Sequence, residues 1–377
     1  MAHAYTPGLR VAAWTTLRRE RRLPIAGDVL VTKGERVSAE QVVARTELPG
    51  HVQMIKVAAI LGQQPADLPH HMRRKEGERV AKGETIAFAS GLFGLSKTTC
   101  SSPVDGVIES VSTITGQVAI REAPIPLEID AYITGEVVEV IPREGVCVEA
   151  QGAFLQGIFG VGGEAHGTLR LAVSSPEAAL VKENLPDEAA GAVLIGGAFV
   201  DEPTLREAAA RGARAIIVGG LDAADLQRFL GYDLGVAITG SERLGLTLIM
   251  TEGFGRMAMA ARTFELLARH QGKPCAVNGA TQIRAGVVRP EIIIPLARED
   301  GESAQVTRDD GDAGLRRGSL VRVIRAPHFG RWGKIVELPA ELAMVDSEAR
   351  VRVVRVRFAE SAEEALVPRA NVEMMEP

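Results

Sequence analysis

Residues 192–220, AVLIGGAFVDEPTLREAAARGARAIIVGG, contain two apolar runs that each end in a pair of glycines. Between the runs, Asp201, Glu202 and Pro203 mark the start of a helix, because acidic residues and proline are favoured in the first helical turn. The pattern returns at residues 246–255, LTLIMTEGFG, which precede another helical segment. Continuous apolar strands that alternate with helices are typical of a parallel sheet covered on both faces. The sequence therefore predicts a three-layer α/β domain over residues 185–297.

The loops after these strands are a candidate site for a small ligand. In open α/β sheets, ligands bind beside the carboxyl ends of the strands, where helix N-termini attract anions. The loop at 251–257 adds the charges of Glu252 and Arg256 to two glycines. The favoured interpretation is that the glycines form turns that pack tightly under the sheet, with the ligand site as the alternative. The candidate residues for a small anion or nucleotide are Gly219, Gly220, Thr251, Glu252, Gly253, Gly255, Arg256, Asn278, Gln282 and Arg284.

A further glycine-rich stretch, GIFGVGGEAHGTL at residues 157–169, precedes this domain. Its backbone amides are a candidate cradle for a phosphate. The stretch lacks the Gly-Lys-Ser/Thr ending of a phosphate-binding P-loop. A structural turn between two domains is therefore the favoured interpretation.

Residues 24–172 are predicted to form a β domain of short strands and tight turns. GDVLVTKGERV at 27–37 and EGERVAKGETIA at 76–87 are near-copies of each other. Alternating Val and Ile beside such turns indicate half-buried antiparallel strands. Residues 1–23 are predicted to be a solvated N-terminal arm, with a binding role as the alternative, because they carry the basic cluster Arg18, Arg19, Arg21 and Arg22.

Two segments of this region, VAKGETIA and SPVDGVIESV, resemble the barrel-sandwich hybrid fold of biotinyl and lipoyl carrier domains. Related modules occur in ion-pumping quinone and ferredoxin oxidoreductases. The resemblance implies a modifiable lysine on a hairpin, between two methionines. Here the stretch reads GLFGLSKTTCSSPVDG, so Lys97 lacks the methionine frame and lies closer to the glycine than a carrier lysine does. We therefore expect the barrel-sandwich hybrid fold without the carrier chemistry.

The C-terminal part begins with a polar, acidic stretch at 298–317 that has no apolar periodicity, which predicts a flexible linker. The next stretch, GSLVRVIRAPHFGRWGKIVEL at 318–338, resembles the KOW motif of NusG-type transcription factors and several ribosomal proteins. The resemblance implies that residues 318–377 form a small SH3-like barrel that contacts RNA, ribosomal protein or RNA polymerase. One departure is Ala326, where the family commonly has glycine. The matching residues are Gly318, Pro327, Phe329, Gly330, Gly333 and Ile335, with VRVI at 321–324.

Two later segments fit such a barrel. In ARVRVVRVRF at 349–358, the doublet Val353–Val354 shifts the alternation, which predicts a β-bulge. The segment ALVPRANVEMM at 365–375 predicts a closing pair of strands.

The basic residues of the KOW-like hairpin predict a surface that binds a polyanion. Arginine pairs with phosphate in bidentate geometry, and a tryptophan at the turn can stack on a base. The alternative is that the aromatic residues fill the barrel and that the arginines pair with glutamates nearby. The predicted contact residues are Arg322, Arg325, His328, Arg331, Trp332 and Lys334, and Arg350, Arg352, Arg355 and Arg357 add a second basic face.

The chain as a whole is typical of a multidomain protein of a reducing cytosol, with 377 residues, a formal net charge of -5 and three widely spaced cysteines. It shows no secretory pattern, no apolar run of membrane-spanning length and no catalytic or metal-binding motif. We therefore expect a cytoplasmic, non-catalytic adaptor, with no cofactor, no metal and no membrane contact. Its expected partner is RNA or a ribonucleoprotein such as the ribosome, or RNA polymerase, and other protein partners stay possible.

Two alternative functions stay open at this point. One is a metabolic or electron-transfer-associated protein that binds an anionic small molecule or a nucleotide at the α/β loops. The other is a structural subunit of a larger assembly, which pairs through the exposed edges of its sheets.

Overall fold

The computed structural model shows a mostly-β protein with several sheets, among them a large mixed sheet with a parallel stretch and a small antiparallel C-terminal sheet. Among the described residues, no helix is long and apolar enough to cross a membrane. The described residues are 9–90, 97–232, 239–240, 242, 244–282, 288–297, 315, 317–323, 327–328, 331–339, 342–344, 350–359, 361 and 363–375.

Short strands and tight turns fill most of the chain from residue 9 to residue 171, as the glycine-turn pattern predicts. Residues Val11–Arg22, expected as part of a solvated arm, form a 12-residue strand that pairs antiparallel with Gly145–Gln156. The elements of this part are β1 (Val11–Arg22), β2 (Asp28–Val29), β3 (Arg36–Val37), β4 (Val42–Leu48), β5 (Val52–Ile55), α1 (Val57–Leu61), α2 (Leu68–His71), β6 (Arg79–Val80), β7 (Thr85–Ser90), β8 (Lys97–Ser101), β9 (Gly106–Val111), β10 (Val118–Arg121), β11 (Ile125–Asp130), β12 (Gly135–Ile141), β13 (Gly145–Gln156), β14 (Phe159–Val161) and β15 (Glu164–Leu171).

The basic cluster of β1 is paired with acids of the fold. Arg18 pairs with Glu149 at 2.7 Å, and Arg21 pairs with Glu164 at 2.7 Å. These acids lie more than a hundred residues away along the chain, on strands β13 and β15. The backbone pairing with β13 and the buried Val11, Ala12 and Leu17 hold β1 in the sheet, and the arginines are paired with acids instead of being free in solvent.

The near-copies in the sequence are copies in structure as well. The tetrapeptide Gly-Glu-Arg-Val occurs at 34–37 and at 77–80, and its glycine has a left-handed φ of 86° in the first copy and 84° in the second. Each glycine N–H donates to a strand carbonyl, that of Val137 at 2.7 Å or that of Ile108 at 2.8 Å. In each copy, the glutamate side chain accepts the backbone N–H three residues before it, at 2.9 and 3.0 Å. The second copy thus repeats the fold of the first.

The second copy lies within an insertion in the first. Strands β5, β10, β9 and β6 form a four-stranded sheet, and β7 pairs with β8. A core of its own, which includes Leu68, Ile86, Ile108 and Ile120, lies between these strands and α1 and α2. The outer copy is built from β2, β4 and β11, with β3 paired to β12 at the end of the large sheet.

The large sheet has eleven strands in the order β14-β20-β19-β17-β15-β21-β22-β13-β12-β3, with β1 also paired to β13. The sheet is continuous across the domain boundary expected between residues 172 and 185. Strand β13, from before this boundary, pairs both with β12 on the same side and with β22 from beyond it. The remaining elements up to residue 295 are β16 (Ala179–Leu180), β17 (Ala192–Ile195), β18 (Phe199–Val200), α3 (Glu202–Ala210), β19 (Ala215–Leu221), α4 (Ala223–Leu230), β20 (Thr247–Phe254), α5 (Ala261–Arg269), β21 (Pro274–Asn278) and β22 (Glu291–Pro295).

The parallel stretch consists of β15, β17, β19 and β20. Strands β17 and β19 are buried along their whole length, which is why their sequences are continuous apolar runs. Helix α3 follows Asp201, whose carboxylate accepts the N–H of Thr204 at 2.9 Å, as expected from the acidic start of this segment. The α/β pattern in the sequence therefore predicts the parallel part of the sheet.

Residues 320–375 contain the six-stranded antiparallel C-terminal sheet, in the order β25-β26-β24-β23-β28 with β27 paired to β26. Strand β26 pairs with β27 without a break at Val353 and Val354, so the predicted bulge is not there. The irregularity lies on β24, between Ile335 and Glu337. Its strands are β23 (Leu320–Val323), β24 (Trp332–Glu337), β25 (Leu342–Met344), β26 (Arg350–Phe358), β27 (Glu364–Pro368) and β28 (Val372–Met375).

Candidate functional site

The carboxyl ends of the parallel strands, where the sequence predicts a ligand site, are covered by the chain itself. A Cβ added at Gly219 would overlap the carbonyl oxygen of Met257, and one added at Gly220 would overlap that of Gly255. Both glycines are buried in β19. They therefore allow the segment after β20 to pack directly on β19, which is the tight-packing interpretation of the glycine pairs.

Glu252 forms a buried ion pair with Arg322 of the C-terminal sheet. Arg322 Nη1 lies 3.0 Å from Glu252 Oε2 and 3.2 Å from Oε1, and the two side chains are 7% and 2% exposed. Glu252 Oε1 also accepts the N–H of Ala260 at 3.0 Å. The neighbouring Thr251 is buried and donates to the carbonyl of Val218 at 3.4 Å. Glu252 belongs to the predicted ligand site, and Arg322 belongs to the predicted polyanion-binding surface. Their ion pair is a contact between the large sheet and the C-terminal sheet.

The other residues of the predicted ligand site lie in different surroundings. Arg256 is exposed, with its guanidinium 5.8 Å from the ring centre of Phe199. Asn278 accepts the N–H of Ala280 at 2.9 Å through its side chain. Gly253 and Gly255 have positive φ angles of 144° and 98°. Gln282 makes a β-bridge with Val288. Arg284 lies outside the described residues.

The backbone amides of the glycine-rich loop at 160–163 are used inside the protein. The N–H of Gly160 donates to Thr281 Oγ1 at 2.9 Å, and the N–H of Gly162 donates to Glu242 Oε2 at 2.9 Å. Thr239 Oγ1 donates back to the carbonyl of Gly160 at 2.7 Å. Gly160 lies in strand β14 of the large sheet, and Gly162 has a left-handed φ of 81°. The stretch is therefore a strand and a turn within one sheet, and the predicted turn between two domains is not there.

Trp332, predicted to stack on a base, packs against the main core of the protein together with Leu320. The guanidinium of Arg262, on α5, lies 5.7 Å from the centre of its ring. Burial lowers the pKa of Arg262 below its ordinary value. With Arg322, these residues form the contact between the C-terminal sheet and the α/β part, so Arg322 and Trp332 face the protein's own interior.

Arg331 stacks on Phe358, with its guanidinium carbon 3.8 Å from the ring centre. It also donates to Glu363 at 3.0 Å and to Ser361 at 2.8 Å. The ring of His328 lies 5.1 Å from that of Phe358, on which it packs at a tilt. Arg331 and His328 thus stabilise the end of the sheet, while Arg325 lies outside the described residues.

The four arginines predicted as a second basic face form two pairs on opposite sides of β26, because Arg350 and Arg352 are an odd number of residues from Arg355 and Arg357 along an unbroken strand. Arg355 pairs with Glu337 at 2.9 Å, and Arg357 pairs with Glu364 at 2.6 Å. Lys334, directly opposite Arg357, is exposed. The face around Arg355 and Arg357 is therefore largely neutralised by its own acids.

The other pair, Arg350 and Arg352, lies on a two-stranded ribbon with β25. Leu342 is directly opposite Arg352, and Met344 is directly opposite Arg350. Residues that face each other across antiparallel strands share a face of the sheet, so all four side chains point the same way. Leu342 is 55% exposed and Met344 is 66% exposed, and both arginines are exposed. We call Leu342, Met344, Arg350 and Arg352 the Leu/Met–Arg ribbon.

Neither arginine of the Leu/Met–Arg ribbon has an ion-pair partner in the part of the chain that the structure describes. The sequence indicates the two arginines but not the apolar half of the ribbon. Strand β25 is only three residues long, too short for its alternation to be recognised. Within the described ranges, no group of three or more His, Cys, Asp or Glu is placed to hold a metal ion.

Comparison of the chain with known protein families, with curated proteins and with solved structures gives no match.

Proposed function

We propose that this protein is a non-catalytic adaptor that binds a ribonucleoprotein through the Leu/Met–Arg ribbon of its C-terminal sheet. The observation that carries the proposal is the ribbon itself, in which two exposed apolar side chains share one face with two arginines that have no ion-pair partner among the described residues. We further propose that residues 318–377 are an SH3-like barrel of the KOW type. The antiparallel pairing of β23 with β24, across the stretch that resembles the KOW motif, supports this assignment.

The composition of the ribbon favours a ribonucleoprotein over bare RNA. Arg350 and Arg352 can each form charge-assisted bidentate hydrogen bonds with phosphate. Leu342 and Met344 have no such use for a phosphate backbone, whereas methionine and arginine are enriched where protein surfaces meet. A surface that presents both RNA and protein, such as that of the ribosome, fits both halves of the ribbon.

The rest of the chain is proposed as a scaffold for this surface. The nested Gly-Glu-Arg-Val copies support a barrel-sandwich hybrid in the N-terminal part. Lys97 lies on β8 opposite Ser90, with its amine 5.0 Å from the ring centre of Phe88, a placement that supports the fold without the carrier chemistry. The parallel strands support a three-layer α/β domain, on which the buried Arg322–Glu252 pair and Trp332 seat the C-terminal sheet.

Co-sedimentation of the full-length protein with purified ribosomes, at low and at high salt, tests the proposed function. RNA polymerase on a nucleic-acid scaffold and a generic single-stranded RNA serve as the other two binding partners. We expect binding to the ribosome that weakens with salt, because each phosphate contact releases counterions. Equal affinity for the bare RNA would contradict the role of the apolar half. Absence of binding to both assemblies at low salt would contradict the proposed function as a whole.

A further inference from the structure

A cleft of about 470 Å³ lies at the edge of the parallel strands opposite to the one that the sequence singles out. Its wall includes Gly191, just before β17, and Arg214, just before β19, so it opens at the amino ends of these strands. His166 and Thr168, from β15, form another part of the wall. The loop at 38–40, which follows β3, faces them from the N-terminal part of the chain.

One end of the cleft carries two side chains that can form hydrogen bonds with a ligand. His166 Nε2 lies 3.7 Å from Glu40 Oε1. The Glu40 side chain is 69% exposed and that of His166 is 27% exposed, so both are open to a ligand. Three hydroxyl side chains, Ser38, Thr134 and Thr168, line the same space. Thr134 Oγ1 already accepts the N–H of Ala39 at 3.2 Å, and the other polar side chains of the cleft can exchange hydrogen bonds with the hydroxyl groups of a ligand.

Arg214 carries the positive charge at the other end. It is exposed, and it has no ion-pair partner within the described ranges. Strands β15 and β19 are separated by β17, and neighbouring strands are spaced by about 4.8 Å. Arg214 therefore starts about 10 Å from β15, to which His166 belongs.

The backbone fixes the distance between these two ends. A Cβ at position 167 would overlap the carbonyl oxygen of Gly191, so only glycine lets β15 approach the start of β17. The N–H of Thr168 donates to that carbonyl at 3.2 Å. Because His166 and Thr168 alternate around this glycine, their side chains share one face of the strand. The wall that contains His166, Thr168 and Arg214 is therefore set by the sheet itself.

We infer that this cleft binds a small phosphorylated polyol, with the phosphate at Arg214 and the hydroxyl groups at the Glu40–His166 end. Its volume is within the range of small-molecule sites, which is about 300–1,000 Å³. A guanidinium without an acidic partner is suited to a phosphate, since it can form two parallel hydrogen bonds. A bare phosphate would leave the Glu40–His166 end unused, and an uncharged polyol would leave Arg214 unused. This inference is independent of the ribonucleoprotein contact, which lies on the C-terminal sheet.

Isothermal titration calorimetry of the full-length protein with glucose 6-phosphate tests the inference, with glucose and inorganic phosphate as the comparison ligands. We expect glucose 6-phosphate to bind more tightly than either. Arg214→Gln should weaken that binding about ten- to a hundredfold, because a hydrogen bond to a charged group contributes about 1.5–3 kcal/mol. His166→Phe, which blocks the other end, should also weaken it.

The matched control is Arg170→Gln. Arg170 lies on the same strand as His166 but outside the cleft wall, and it forms an exposed ion pair with Glu188. Arg170→Gln should bind glucose 6-phosphate like the wild type. Three results would overturn the inference: no heat with glucose 6-phosphate at millimolar concentration, equal affinity for inorganic phosphate, or equal loss in Arg214→Gln and Arg170→Gln. Thermal melting of each variant without ligand separates a folding defect from a loss of binding.

Discussion

Removal of Arg322 is expected to cost a large part of the stability of this protein. In Arg322→Met, the Glu252 carboxylate keeps the N–H of Ala260 but loses both contacts with the guanidinium, at 3.0 and 3.2 Å. The Glu252 side chain is 2% exposed, so water has little access to replace those contacts. An uncompensated buried charge of this kind costs about 3–5 kcal/mol.

The double variant Arg322→Met/Glu252→Gln tests whether this cost is electrostatic. The glutamine carbonyl can still accept the N–H of Ala260, and neither charge of the pair stays buried. We therefore expect the double variant to lose only about 1–2 kcal/mol relative to the wild type. The difference between the single and the double variant, about 2–3 kcal/mol, is then the cost of leaving the buried Glu252 carboxylate charged and unpaired.

Urea denaturation, followed by the fluorescence of Trp332, measures these free energies. The chain has two tryptophans, so Trp14→Phe makes Trp332 the only reporter, next to the ion pair. The control is Arg357→Met, which removes an exposed pair that contributes at most about 1 kcal/mol. Equal losses in the single and double variants, or a loss in Arg322→Met no larger than in the control, would refute the electrostatic reasoning.

Two further predictions concern buried positions. Gly219→Ala should destabilise the protein by at least about 1–3 kcal/mol, because the added methyl group overlaps the backbone of Met257. A melting temperature equal to that of the wild type would show that the carboxyl ends of the parallel strands are open. Cys100, Cys147 and Cys275 are buried, and burial raises the pKa of each thiol, so all three should react slowly with a thiol reagent in the folded protein and quickly in urea. The unfolding free energy should also fall as the pH rises above about 8.5, since the unfolded thiols lose protons that the folded ones keep, and a flat profile there would contradict the burial.

The parallel strands and the repeated turns could be predicted because their signals are local. Strands β17 and β19 are buried on all sides, so their sequences are uninterrupted apolar runs. The Gly-Glu-Arg-Val turns need a left-handed glycine and a glutamate that caps its own turn, and both requirements are visible within four residues.

The contacts between distant segments could not be predicted in the same way. Glu252 and Arg322 are 70 residues apart, and nothing near either residue indicates that the other neutralises it. For the same reason, the arginines of β1 resemble a solvated arm in the sequence, although Arg21 pairs with Glu164, 143 residues away. The sequence therefore shows where charges are, while only the fold shows which of them are left for a partner.

Ribosome co-sedimentation of two matched double variants distinguishes binding by the Leu/Met–Arg ribbon from attraction by net charge. Arg350→Ser/Arg352→Ser removes the arginines of the Leu/Met–Arg ribbon, and Arg355→Ser/Arg357→Ser removes the same charge from the same strand, where both arginines are paired with glutamates. We expect the first variant to lose most of its binding and to reduce the salt slope by about 1.4, for two contacts with single-stranded RNA. We expect the second variant to bind nearly as well as the wild type. Equal loss in the two variants would mean that net charge alone governs the interaction, and full binding by the first would place the contact elsewhere.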